Sequence, residues 1–176
     1  MTHPRSVSER TLVVMRHAKA EPDGPTDFDR PLAPRGHRDA RAAGAWLAAA
    51  GVRPSHALVS AALRTHQTWE DVALGAGWDL EPDLDRGLYA AGPESALDLL
   101  RLTPEDATTL VVVGHNPTMA MLVALLEDGS DPALAASALP AGHFPTSALA
   151  VLHLPGSWAA LEPGTARLGA AHVARG

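Results

Sequence analysis

The chain contains no cysteine. That excludes disulfides, thiolate–zinc sites and every mechanism with a cysteine nucleophile, the cysteine-based phosphatases included. Lysine is nearly absent too, because thirteen of the fourteen basic residues are Arg and Lys19 stands alone. An anion site must then rely on Arg, His or backbone N–H groups, and no Gly-Lys-Ser/Thr loop of the P-loop kind is present. No run of basic residues occurs and the formal net charge is −6, so the electrostatic footprint of a nucleic-acid or anionic-membrane binder is missing. No apolar stretch reaches the roughly 18 residues of a bilayer span. Residues 1–10 are polar and lack the apolar core of a signal peptide. A cytoplasmic location is expected.

What is present is enough apolar material for a full core: 46% of 176 residues. This predicts one domain over residues 1–176, with 1–10 and about 163–176 loose. Short apolar runs alternate with helical patterns. Thr11–Met15, His56–Ser60, Leu110–Val113 and Ser147–Leu154 read as strands, with one more near Trp158–Leu161. Arg35–Ala50, Ala61–Gly75, Pro93–Leu102 and Pro117–Glu127 read as helices. Ser60 and Asn116 are placed as helix caps, and Leu80–Gly92 reads as irregular. This alternation predicts an α/β three-layer sandwich around a central, mostly parallel sheet.

Parallel sheets bind ligands beyond the carboxyl ends of their strands. Two apolar strands here end alike: Leu12-Val13-Val14-Met15 runs into Arg16-His17, and Leu110-Val111-Val112-Val113 into Gly114-His115-Asn116-Pro117. A third, Leu58-Val59-Ser60, leads to Arg64. If these ends lie side by side, Arg16, Arg64, His17 and His115 converge. Two guanidiniums present forked N–H donors to a tetrahedral oxyanion, while one imidazole attacks and the other donates a hydrogen bond. The other seven histidines show no pairing at metal-ligand spacing, so neither a metal nor another cofactor is expected. The four tryptophans read as packing residues.

Five segments in order carry a resemblance: Met15-Arg16-His17-Ala18; Arg30-Pro31-Leu32 followed by Gly36; Leu58-Val59-Ser60 through Arg64-Thr65 and Gln67-Thr68; Gly114-His115-Asn116-Pro117; and Pro145-Thr146-Ser147-Ala148. The chain resembles the histidine phosphatase superfamily, the branch that includes phosphoglycerate mutases, and within it the small SixA-like phosphohistidine phosphatases. The resemblance implies a phosphoglycerate mutase-like fold and a phosphohistidine intermediate on His17. It implies that Arg16, Arg64 and His115 hold the phosphoryl group, with Arg30, Asn116 and Ser147 as substrate-binding candidates. Arg30 reads equally as a loop anchor.

Many relatives use a Glu or Asp to protonate an oxygen leaving group. Asp85 is the candidate acid in the expected region, ahead of Glu94. An acid is less needed when the leaving group departs easily, and imidazole, with a pKa near ~6.5 against ~15 for an alcohol, does so. The expected partner is a phosphorylated protein, phosphohistidine foremost, or a small phosphate ester, with inorganic phosphate as product and neither nucleic acid nor membrane involved. Phosphoanhydrides and acyl phosphates fit the same logic. A phosphomutase, or a non-catalytic phosphate-binding module on the same fold, are the competing readings.

Overall fold

In the computed structural model, which describes residues 9–176, the apolar runs form the middle of a six-stranded sheet. Its strands are β1 (Arg10–Arg16), β2 (His56–Ser60), β3 (Asp83–Asp85), β4 (Thr109–Gly114), β5 (Ala148–Leu154) and β6 (Arg167–Val173), in the order β3-β2-β4-β1-β5-β6. The first four run parallel. β5 pairs antiparallel with β1 and with β6. The sheet is therefore mixed, with its parallel part carrying the strand ends of interest.

Alternation explains why β1 and β4 read as unbroken apolar runs. Leu12 and Val14 with Leu110 and Val112 face one layer, and Val13 and Met15 with Val111 and Val113 face the other. Strands buried on both faces have no polar side to show. The first layer contains α4 (Pro93–Arg101) and α5 (Thr118–Leu126), and the second α1 (Pro34–Ala49) and α2 (Leu63–Ala76). The helices α1 and α2 approach closely because both lack side chains at the contact. A Cβ on Gly44 would sit 2.0 Å from the Val72 carbonyl oxygen, and one on Gly75 2.1 Å from that of Arg41.

Several expectations need correction. The last strand forms at Arg167–Val173, not at Trp158–Leu161. Trp158 is a buried anchor whose Nε1–H donates to the Ala107 carbonyl at 2.7 Å. The segment from 163 on is not loose: it contains β6, and beyond it Ala174 N–H donates to Ser147 O and Gly176 N–H to Asp39 Oδ1. Of the expected loose lead-in, residues 1–8 lie outside the described residues, and Arg10 opens β1. The stretch read as irregular holds β3 and the one-turn α3 (Arg86–Tyr89). The short α6 (Pro132–Ala138) was not anticipated. Asn116 does not cap α5, since Pro117 occupies that position and the Asn116 amide donates to Phe144 O at 2.6 Å.

Candidate active site

The β1/β4 register sets the site. Arg16 lies opposite Gly114, so His17 and His115 leave adjacent strands at the same level. Their ring centroids are 5.4 Å apart. On the other side of β4, Val59 pairs with Val113, which brings Ser60 beside His115. The α2 helix starts three residues after Ser60 and places Arg64 in its first turn. The structure thus brings Arg16, His17, Arg64 and His115 to one sheet edge.

His17 is buried, with 7% exposure. Its Nδ1–H donates to its neighbour's carbonyl, Ala18 O, at 2.7 Å. A carbonyl only accepts, so the proton resides on Nδ1 and the lone pair on Nε2. The loop is pinned on every side. His17 N–H donates to Gly114 O, Ser147 N–H donates to His17 O, and Ala18 N–H donates to Thr68 Oγ1 at 3.0 Å. Burial is the main force pushing the His17 pKa down to about 3, with His115, Arg64 and Arg16 adding repulsion and the Ala18 hydrogen bond opposing them.

His115 is neutral for the same reasons. Burial first, then Arg64, takes its pKa down to about 4, with Asp27 pulling the other way. Its Nε2 lies 2.7 Å from Ser60 Oγ. The Ser60 hydroxyl oxygen also accepts from Ala62 N–H at 3.4 Å. Ser60 therefore serves His115 and does not cap α2, whose cap residue is Ala62. Fully buried at 0% exposure, it had no local signal to separate the two roles.

Three buried nitrogens at this site have no protein partner: Arg16 Nε, Arg64 Nε and His115 Nδ1. Buried polar groups are normally paired, so their clustering marks a place built for an anion. Arg16 Nη1 donates to Phe144 O at 3.2 Å. Arg64 turns both terminal nitrogens toward Asp27, reaching its carbonyl at 2.7 Å and its Oδ2 at 3.2 Å. The Arg16 guanidinium has its pKa lowered by burial and then by Arg64. Among the described residues, no group of three or more His, Asp or Glu is arranged to hold a metal ion.

The other candidates divide. Ser147 is fully buried beside His17, with φ of 62° and an Oγ lacking a protein partner. Asn116 likewise leaves its Oδ1 unpartnered. Arg30 anchors its loop: Nε donates to Asp27 Oδ1 at 2.9 Å and Nη1 to Glu21 O at 2.8 Å. Asp85 is committed elsewhere, because its Oδ1 accepts from Leu88 N–H at 2.9 Å as the cap of α3. The carboxylate that the fold does bring here is Asp27, with Tyr89. The Tyr89 hydroxyl donates to Asp27 Oδ2 at 2.6 Å, and its ring meets that of His115 edge-on at 5.4 Å. Asp27 lay within a Pro- and Asp-rich loop and Tyr89 within the stretch read as irregular. The one available signal was that Tyr89 is the sole tyrosine.

No helix among the described residues is long and apolar enough to cross a membrane. Residues 12–89 match the description of the histidine phosphatase superfamily (branch 1). The uncharacterized protein Rv1276c of Mycobacterium tuberculosis is 42% identical over 162 residues, 92% of this chain and 100% of that protein. Phosphohistidine phosphatase SixA of Escherichia coli is 33% identical over 151 residues, 81% of this chain and 84% of SixA. A solved structure from Nakamurella multipartitia superposes with a TM-score of 0.81 at 35% identity, covering 93% of this chain and 95% of that one. The structure of protein histidine phosphatase SixA complexed with tungstate gives a TM-score of 0.75 at 27% identity, covering 93% and 96%. With identity of this degree along nearly the whole of the compared chains, and a sheet edge carrying two Arg and two His, the chain belongs to the histidine phosphatase superfamily.

Proposed function

We propose that this protein is a phosphatase that works through a phosphohistidine on Nε2 of His17, and that its substrates are phosphohistidine proteins or other phosphoryl compounds with a good leaving group. One observation carries the reading. The His17 Nδ1 proton is held by a backbone carbonyl at 2.7 Å, which leaves Nε2 as a neutral nucleophile amid buried donors that lack protein acceptors.

Each group has a role in that chemistry. Arg16 and Arg64 neutralise the phosphoryl oxygens and add to the burial that keeps His17 unprotonated. His115 donates from Nδ1 to one oxygen, in the tautomer whose Nε2 accepts from the Ser60 hydroxyl. Nε2 of His17 attacks phosphorus, the bond to the leaving group breaks, and water then attacks phospho-His17 to release inorganic phosphate. Catalysis of this kind is mostly positioning and charge stabilisation. The countercharge comes from guanidiniums, so turnover is expected to persist in EDTA. SixA bound to tungstate, an oxyanion, on the same fold supports the assignment of the anion site.

The test is phosphate release from a phosphohistidine protein and from an aryl phosphate, with EDTA present, for wild type and His17→Ala. The wild type should turn over and form an acid-labile phosphoenzyme, and the variant should do neither. Turnover that survives in His17→Ala would overturn the mechanism. Oxyanion binding without turnover would favour the non-catalytic module.

A further inference from the structure

The phosphoryl site is ringed by donors, yet its outer rim is built around an acceptor. Asp27 stands on the far side of the Arg64 guanidinium, which Arg64 Nη2 reaches at 3.2 Å. Arg30 Nε holds its Oδ1 at 2.9 Å, and Tyr89 O–H holds its Oδ2 at 2.6 Å. Three residues from three segments thus fix one surface carboxylate. Its side chain keeps 56% exposure. A carboxylate offers about four lone-pair positions and the protein uses three of them, so Asp27 can accept one more proton donor from the solvent side. Tyr89, edge-on to His115 at 5.4 Å and to Phe28 at 5.0 Å, forms an aromatic flank beside it.

We propose that Asp27 is the leaving-group residue of this site: it accepts the N–H of a phosphorylated imidazole and so selects nitrogen-bound over oxygen-bound phosphoryl groups. The inference rests on the phosphatase reading and deepens it. A phosphoimidazole leaves readily when its distal ring nitrogen carries a proton. Nε2 of His17 attacks phosphorus, and the P–N bond of the substrate breaks. The bonding pair goes to the ring nitrogen that bore phosphorus, the proton stays on the distal nitrogen against Asp27, and neutral imidazole departs. His17, now phosphorylated, keeps its own Nδ1 proton on Ala18 O. The two rings exchange the phosphoryl group with like support at each distal nitrogen. Water then attacks phospho-His17, the P–N pair returns to Nε2, and the proton of the water leaves with phosphate.

This removes the need for an acid at the leaving atom, the role expected of Asp85, whose Oδ1 caps α3. Asp27 cannot fill that role by protonation either. The Tyr89 hydrogen bond, with help from Arg30 and Arg64, lowers its pKa to about 2, so it stays an anion. An oxygen leaving group gathers negative charge as its bond breaks, and a fixed carboxylate at the rim opposes that. A protonated imidazole meets attraction instead. The same carboxylate steadies Arg64, so its removal lowers all turnover to some degree, and the substrate ratio is what separates the two effects.

The experiment measures kcat/KM for free phosphohistidine and for phenyl phosphate, two small substrates of similar size, with wild type, Asp27→Ala and Asp27→Asn. The expected result is a phosphohistidine-to-phenyl phosphate ratio that falls at least tenfold in Asp27→Ala, with Asp27→Asn between that variant and wild type. Equal losses on both substrates would make Asp27 a mere support for Arg64 and overturn the inference, as would a ratio that does not move. A wild type active on phenyl phosphate but not on phosphohistidine would refute the leaving-group role and leave the phosphatase reading standing. A wild type active on neither would remove both.

Discussion

Holding two imidazoles neutral inside a cluster of guanidiniums has a thermodynamic signature. An unfolded histidine takes up a proton near pH ~6.5. In the folded chain His17 does so only at about 3 and His115 only at about 4. Between those values the unfolded state binds more protons than the native state, so stability falls as the pH drops. From pH 6.5 to 4.5 each unfolded histidine goes from half to almost fully protonated, while native His17 stays neutral and native His115 takes up about a quarter of a proton. At about 1.4 kcal/mol per unit of displaced pKa, with half the proton already bound at the upper pH, each histidine contributes a loss of about 2 kcal/mol. The pair contributes about 4 kcal/mol. That is a large share of a typical stability of roughly 5–15 kcal/mol.

The measurement is urea unfolding at the two pH values, for wild type, His17→Asn, His115→Asn and the double variant. Partly buried His153 and His172, whose pKa values burial also lowers, remain in every protein and cancel in the comparison. Each single variant should lose about 2 kcal/mol less than wild type on acidification, and the double variant about 4 kcal/mol less. A double variant that loses as much as wild type would show that these rings protonate freely in the fold. His17 would then carry a proton at mildly acidic pH and be no neutral nucleophile there.

Two further outcomes follow from single contacts. Ser60→Ala removes the 2.7 Å partner of His115 Nε2 and should lower kcat/KM roughly tenfold, the worth of about one hydrogen bond; an unchanged kcat/KM would mean that Ser60 does not set the tautomer. Gly44→Ala drives a Cβ to within 2.0 Å of the Val72 carbonyl and should cost about 1–3 kcal/mol by overpacking, so a variant with an unshifted denaturation midpoint would contradict the α1–α2 packing.

The parts of the site that could be read in advance share a physical trait: the information is local and repeated. β1 and β4 are buried on both faces, so each shows as an apolar run with a polar end. Because they pair in parallel with Arg16 opposite Gly114, similar run lengths deliver His17 and His115 to one edge. The parts that could not be read depend on contacts between distant residues. Asp27 and Tyr89 are 62 positions apart and Ser60 and His115 are 55 apart. No pattern around Ser60 distinguishes a helix cap from a partner for a histidine on the neighbouring strand. β6 escaped for another reason. Its residues, Arg167-Leu168-Gly169-Ala170-Ala171-His172-Val173, form an edge that is mostly half-buried or exposed, and its pairing with β5 supplies what its own sequence does not.

The features that make the site reactive are those that make it expensive to fold. Arg16 Nε, Arg64 Nε and His115 Nδ1 are buried without protein acceptors, and an unsatisfied buried donor costs about 1–3 kcal/mol. The surrounding fold bears that cost through paired strands and a core packed on both faces of β1 and β4. A tetrahedral dianion bound among them would accept from the guanidinium nitrogens and offset the repulsion between the guanidiniums. Burial is the main force that keeps His17 unprotonated, and the cations that add to it would also favour a phosphoryl group. Loss of the Arg64 charge is therefore expected to weaken phosphoryl binding while burial still holds His17 neutral.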